Sequence, residues 1–351
     1  MRIPKKRLCH RIPDVTSKSK VLVAIAAVLL VAATGLSQKK PEKPKLHSDF
    51  AFGTYPISRD ATTLLSKENA RLILVGLHQN WDMEKIAKES KVKEEELEKT
   101  FADLEEANLA ETRDQFERRP RLLVIRDRDI EKIQRNLQLH AQEFTSVLQS
   151  NWAEIEAAIA PLNGSKGVSK PQMLYEVVVG AILFGGMQEA FYEDQTIMTS
   201  PTRRVGSLRY YAWLVESDPT LAGVLKREQW ESDGYTMVSI GPGLAPSRIS
   251  LDKLRTENGM VLEEAEARRF RSFVTIFTKE RLLPYFKKNR TSFLDAVNQL
   301  EAGKYVSVSA AFAWYYDQLA NRVAGNLITT KMIQPPSTQY AFALKVASSA
   351  R

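Results

Sequence analysis

Met83-Glu-Lys-Ile-Ala-Lys-Glu-Ser90, followed by Lys93-Glu-Glu-Glu-Leu-Glu-Lys-Thr-Phe-Ala-Asp-Leu-Glu-Glu-Ala-Asn108, decides how the first half of this chain is read. The first segment turns Ile86 and Ala87 inward. The second repeats Leu97, Phe101 and Leu104 at i, i+4 and i+7, a spacing that puts all three on one face of a helix. Upstream, Leu64, Leu65, Leu72, Val75 and Leu77 mark an opening helix over about 60–78, with Ser66 and Asn69 as cap or turn residues. Downstream, Asn108 tolerates the left-handed conformation of a helix end. Residues 109–112 and 121–126 then read as two short strands joined across 114–120.

Three helices followed by a two-stranded wing resemble the winged helix-turn-helix superfamily, as found in bacterial one-component repressors. The resemblance rests on Ile86-Ala87, Val92, Leu97, Phe101, Leu104 and Asn108-Leu109, which fall where those domains place apolar residues and a terminal Gly-Leu. It covers about seventy residues, a fifth of the chain, and Asn108 stands where Gly is usual. It implies a third helix in the DNA major groove, with Lys and Arg on the phosphates.

The residues depart from that use. Between Lys93 and Glu106 lie seven carboxylates and two lysines, so a polyanion meets repulsion on the surface that should read it. Arg118, Arg119, Arg121, Arg126 and Arg128 are the candidate DNA or partner contacts, with Glu117, Asp127 and Asp129 at hand to neutralise them on a solvated hairpin. The expectation is a winged-helix fold used for protein contact, with nucleic acid not expected as a partner.

The chain has 351 residues, 44% hydrophobic and 26% charged, an ordinary globular composition that excludes collagen-like and mostly disordered classes. Its net charge of +8 is unevenly placed. Eleven Lys and Arg lie within residues 1–47 against Asp14 and Glu42, so the rest of the chain is close to neutral. The single cysteine, Cys9, is also in this leader, which leaves the body without a disulfide or a thiolate metal site.

Residues 21–36 form an uncharged apolar run of sixteen residues. As a helix it would cover about 24 Å, short of the roughly 30 Å hydrocarbon core, between a signal-peptide core and a short signal anchor. Ala33 and Gly35, or Gly35 and Ser37, offer a small-x-small cleavage site, while Lys39 and Lys40 just beyond disfavour processing. Seven basic residues before the run and four after it favour a cytoplasmic N-terminus. The expected location is therefore the inner membrane, single-pass with an extracytoplasmic body, or export after cleavage.

The expected organisation is a basic n-region (1–20), a signal anchor or signal peptide (21–37), a Pro/Lys linker (38–58), a winged-helix-like domain with a connector helix (59–160), a linker (161–171), an α-rich domain (172–333) and a tail (334–351). The fold class is mainly α with a small β component. The connector, 129–160, breaks near Ser150. The run Val177-Val-Val-Gly-Ala-Ile-Leu-Phe-Gly-Gly-Met187 is too short to span a bilayer and reads as a central buried helix. Helical patterns cover 262–286, 293–300 and 309–332; 235–240 is β-like and enters a loop over 241–246, and 340–346 alternates as a strand or a frayed tail. Tyr210, Tyr211 and Trp213, with Trp314, Tyr315 and Tyr316, either line a groove or pack in the core.

Little catalytic chemistry is visible. The four histidines, His10, His47, His78 and His140, form no His-Glu-x-x-His motif, there is no Gly-x-Ser-x-Gly, and no metal or cofactor is expected. Glu189 and Glu193, four apart near Glu176, are weak catalytic candidates, because paired carboxylates can hydrolyse glycan when burial raises one of them. The leading expectation is thus a membrane-anchored or exported interaction protein and no enzyme. A winged-helix DNA-binding regulator and a carboxylate-dependent cell-wall hydrolase are the alternatives.

Overall fold

A computed structural model describes residues 46–346 apart from 48, 114–116, 164–167, 202–209, 217–224, 243–247, 258, 301–305 and 336–339. The leader, its apolar run and the Pro/Lys stretch over 38–45 lie outside these residues, as does most of the loop over 241–246. The protein is mostly helical, 62% helix and 18% strand, in keeping with a mainly α class.

The chain enters through strand β1 (Phe50–Tyr55), so part of the segment read as a linker is a strand. The opening helical pattern divides into α1 (Arg59–Ser66) and α2 (Glu68–His78), because Lys67 between them is extended. The Ser58 hydroxyl accepts from Ala61 N–H and caps α1. Next come α3 (Met83–Ser90), capped by Asp82 on Lys85 N–H at 2.8 Å, and α4 (Glu94–Glu106). Asn108 takes φ 56°, and Leu109 N–H returns to Leu104 C=O at 2.8 Å, the left-handed helix end its sequence suggested. Ile86, Leu97, Phe101 and Leu104 are all buried in one core with Leu65 and Leu74.

The hairpin differs from its sequence reading. Its strands are β2 (Ala110–Arg113) and β3 (Glu117–Pro120), with Glu111 opposite Arg119. Residues 121–126 do not form the second wing strand. Instead β4 (Leu123–Ile125) leaves the hairpin and pairs in parallel with β5 (Tyr211–Glu216). Pro120 cannot donate to a continued ladder, and Leu123, Val124 and Ile125 are apolar on both faces, which suits a sheet covered on both sides.

That sheet, ordered β1-β5-β4, separates two cores. Tyr211, Trp213 and Val215 of β5 point to one, and Ala212 and Leu214 to the other, following the two-residue period of a strand. Gly53 on β1 lies so close to the Trp213 ring that a Cβ there would sit 2.7 Å from its indole nitrogen.

Beyond the sheet, α5 (Asp127–Ser150) and α6 (Trp152–Ile159) meet at Asn151, one residue from the expected break. Both pack in the larger core with the segments after residue 170, so the connector belongs to that body rather than to the helices before it. Helix α7 (Lys170–Asp194) crosses this core and carries a π-helical stretch, Glu176–Gly186, in which every residue is buried. Among the described residues α7 alone is long and apolar enough to cross a membrane, and 89% of its apolar window lies inside the molecule. It is a central buried helix, as expected for the run over 177–187, but it extends well beyond that run, and burial rather than length marks it as core.

A second sheet, ordered β6-β7-β9-β8, combines β6 (Leu225–Ser232), β7 (Tyr235–Pro242), β8 (Met260–Leu262) and β9 (Tyr340–Lys345). The alternating segment near the C-terminus is therefore an inner strand, antiparallel to β7 and parallel to β8. The remaining helices are α8 (Leu251–Thr256), α9 (Glu264–Phe277), α10 (Leu283–Lys288), α11 (Arg290–Asn298) and α12 (Val308–Thr329). Phe191 packs edge to face on Phe286 and Tyr316, Phe293 edge to face on Phe312, and Phe286 stacks on Phe293 where α7, α10, α11 and α12 meet.

Candidate functional site

The hairpin beside α4 holds most of the arginines singled out by sequence, and each of its arginines faces an acceptor of this chain. Arg118 Nη1 donates to Glu98 Oε1 at 2.6 Å, with its guanidinium 4.5 Å from the Phe101 ring centre. Arg119 Nε donates to Glu111 Oε1 at 2.5 Å, and Arg121 to Asn108 Oδ1 at 2.5 Å, with Glu111 3.4 Å away. These acceptors come from α4, its end and β2.

Arg126 is not a hairpin residue. It leaves β4 and grips Glu216 of β5 through two hydrogen bonds of 2.7 and 2.9 Å, and His47 and the Asp127 N–H also donate to that carboxylate. Burial pushes the Glu216 carboxyl up, but the Arg126, Asp127 and His47 contacts outweigh it and hold the group below the usual carboxylate value. Arg128 is exposed in the first turn of α5, and Asp129 is buried at the same end, where one of its oxygens accepts from Arg126 N–H at 3.3 Å.

With the arginines engaged, the exposed face of α4 keeps its acidic character. Glu94, Glu95, Glu105 and Glu106 all reach solvent. Where α4, the N-terminal end of α3 and the hairpin meet, a groove of about 510 Å³ is bordered by Trp81, Asp82, Glu84, Glu94, Glu117 and Arg118. Four carboxylates thus stand against one guanidinium, itself paired with Glu98. Trp81 is half-buried, and the Lys85 ammonium lies 4.1 Å from its ring centre, so the ring face already accepts a cation. Sequence reasoning passed over Trp81; an aromatic flanked by Asp82 and Glu84 just before a helix was the available signal.

The aromatic candidates do not line a groove. Tyr210, Tyr211, Trp213, Trp314, Tyr315 and Tyr316 are all buried. Tyr315 donates to Asn136 Oδ1 and Tyr316 to the Leu183 carbonyl, both at 2.7 Å, so these two hydroxyls are satisfied within the core, whereas Trp314 Nε1 is buried without a partner. Burial pushes the Tyr316 phenol well above its ordinary value, with Asp317 adding to the effect.

The carboxylate candidates are not brought together as a pair. Glu193 is exposed and bridges to Lys279, while Glu189 opens onto a separate cavity beside Arg227. Glu176 is fully buried, without a hydrogen-bond partner for either oxygen, and burial raises its carboxyl well above the usual value. No group of three or more His, Cys, Asp or Glu side chains among the described residues could hold a metal ion. Compared with protein-family models, curated proteins and solved structures, the chain matches none.

Proposed function

We propose that this protein is a membrane-anchored or exported interaction protein whose residues 59–120 form a winged-helix-like module that takes a Lys/Arg-rich segment of a protein partner. The observation that carries the reading is the acidic groove at Trp81, whose carboxylates have no counterpart in the hairpin arginines. Those arginines are held by Glu98, Glu111 and Asn108, so DNA binding would require breaking these contacts and bringing phosphates against α4. A basic segment meets the opposite balance, with four carboxylates along the groove to steer it. The leader's charge pattern supports the extracytoplasmic side for this surface.

The test uses the full chain in lipid nanodiscs, with a labelled Lys/Arg-rich peptide, its charge-reversed counterpart and a 20-base-pair duplex as separate probes. Tightest binding of the basic peptide is expected, weakening as salt rises and falling at least tenfold in Glu84→Lys combined with Glu94→Lys. Tighter binding of the duplex, or equal affinity for both peptides, overturns the proposal. A C-terminal reporter active only outside the cytoplasm checks the location, and a signal only from a cytoplasmic reporter would refute it.

A further inference from the structure

A second cavity, of about 210 Å³, lies between α7, one face of the β6-β7-β9 sheet and α9. Strand register assigns its floor. Gln229 lies opposite Val238 and Val238 opposite Phe342, so these three form one cross-strand row. The next row toward one end pairs Arg227 with Ile240, and the next toward the other pairs Thr236 with Leu344. Phe270 and Val274 of α9 and the Gly185-Gly186 stretch of α7 make the walls. A Cβ at Gly185 would come within 3.4 Å of the Arg227 guanidinium, so the glycine lets that group lie against the helix backbone.

Arg227 sets the chemistry. Its Nη2 donates to Gln229 Oε1 at 2.7 Å, but its Nε is buried and has no hydrogen-bond partner. Among the described residues Arg227 makes no ion pair, and Glu189, the carboxylate on the same cavity, acts on it only from a distance. Burial pulls the guanidinium below its ordinary value, against the opposing influence of Glu189 and Tyr55. A half-buried guanidinium whose inner Nε is shut off from water without a partner is a costly arrangement that an anion in the cavity would relieve. Arg271, the other guanidinium here, already donates to the Leu344 carbonyl at 3.2 Å.

We infer that this cavity is a binding site for a small organic monocarboxylate with an apolar tail, its head held at Arg227 and its tail against Val238, Phe270, Val274 and Phe342. A guanidinium edge matches the planar carboxylate, and one open cation with Glu189 nearby leaves a dianion such as phosphate undercompensated. The site is independent of the groove at Trp81, so either proposal can fail alone.

The experiment is calorimetric titration of the full chain in nanodiscs with butyrate, hexanoate and 3-phenylpropionate, with the matching primary amides, inorganic phosphate and empty nanodiscs as controls. Saturable one-to-one binding of at least one carboxylate is expected, at least tenfold tighter than its amide and than phosphate. Arg227→Met should abolish it without lowering the melting temperature, because the substitution removes a buried donor that has no partner. Thr275→Phe, which fills the cavity from a half-buried position on α9, should weaken it at least tenfold. Absence of saturable binding by all three carboxylates, equal binding of amide and acid, or full binding in Thr275→Phe overturns the inference. If Arg227→Met does not fold, Arg227→Lys takes its place, and unchanged affinity there is equally fatal.

Discussion

Glu176 provides a quantitative test of the packing around α7. Its carboxyl is fully buried with neither oxygen hydrogen-bonded, and desolvation raises its pKa well above the ordinary 4.5. The unfolded chain releases this proton near the ordinary value while the folded chain keeps it. Above that pH the unfolded state therefore binds fewer protons, and stability falls as pH rises, until the folded group itself ionises. The slope approaches about 1.4 kcal/mol per pH unit, so two units inside that window are worth about 2.7 kcal/mol. For a cooperative unit the size of Leu46–Arg351 this corresponds to about 4 °C in melting temperature. Glu176→Gln keeps the shape of the side chain and removes its titration. Thermal unfolding of parent and variant, followed by circular dichroism from pH 4.5 to 8, should give similar values at the acid end and a widening advantage for the variant above it. Parallel curves across that range would refute the reasoning, since they would mean the carboxylate finds solvent or a cation in the folded state.

Three further outcomes follow from the same core. Lys226 and Asp317 form a buried ion pair at 2.9 Å, with Gln318 also donating to the aspartate. Asp317→Leu alone should cost about 3–5 kcal/mol in chemical denaturation, and adding Lys226→Met should recover most of it, because the penalty is the stranded ammonium. Gly180→Ala puts a methyl onto Ile240 Cδ1 and 2.9 Å from Phe342, so it should destabilise by about 1–3 kcal/mol despite the better helix propensity of Ala, with partial rescue by Ile240→Val. Burial lowers the pKa of His140, against the raising influence of Glu143, and its ring nitrogens meet Tyr285 and Ser292 at 2.8 and 2.9 Å. Its folded pKa lies below its unfolded one, so its contribution is present above pH 6.5 and lost as pH falls below that value, and His140→Gln should flatten this limb, opposite in sign to the Glu176 effect.

Much of the helical layout could be read from the chain because a helix announces itself over a few residues. Leu97, Phe101 and Leu104 define the buried face of α4 by spacing alone, and Asn108 marks its end through a conformational tolerance of its own. The β structure was harder. Residues 123–125 look like the return strand of a hairpin, yet their partners on β5 lie ninety residues away. Phe50–Tyr55 lies beside a Pro/Lys stretch, and only its pairing with β5 makes it a strand. The aromatic triplet Trp314-Tyr315-Tyr316 left a groove open beside the favoured core reading, since adjacent residues point to different sides of a helix and burial on every side depends on what surrounds it.

The candidate site divides in the same way. The acidity of α4 and the placement of all the surplus basic charge before residue 48 were set by the sequence, because charge is a property of residue types and their order. Which charges meet was decided only by the tertiary structure. Glu98 reaches Arg118 across twenty residues, Glu216 reaches Arg126 across ninety, and Arg227 is left in a cavity with no carboxylate in contact. Local periodicity carries information over one or two helical turns, whereas strand pairing and ion pairing are settled by which distant surfaces are brought into contact when the apolar faces are buried.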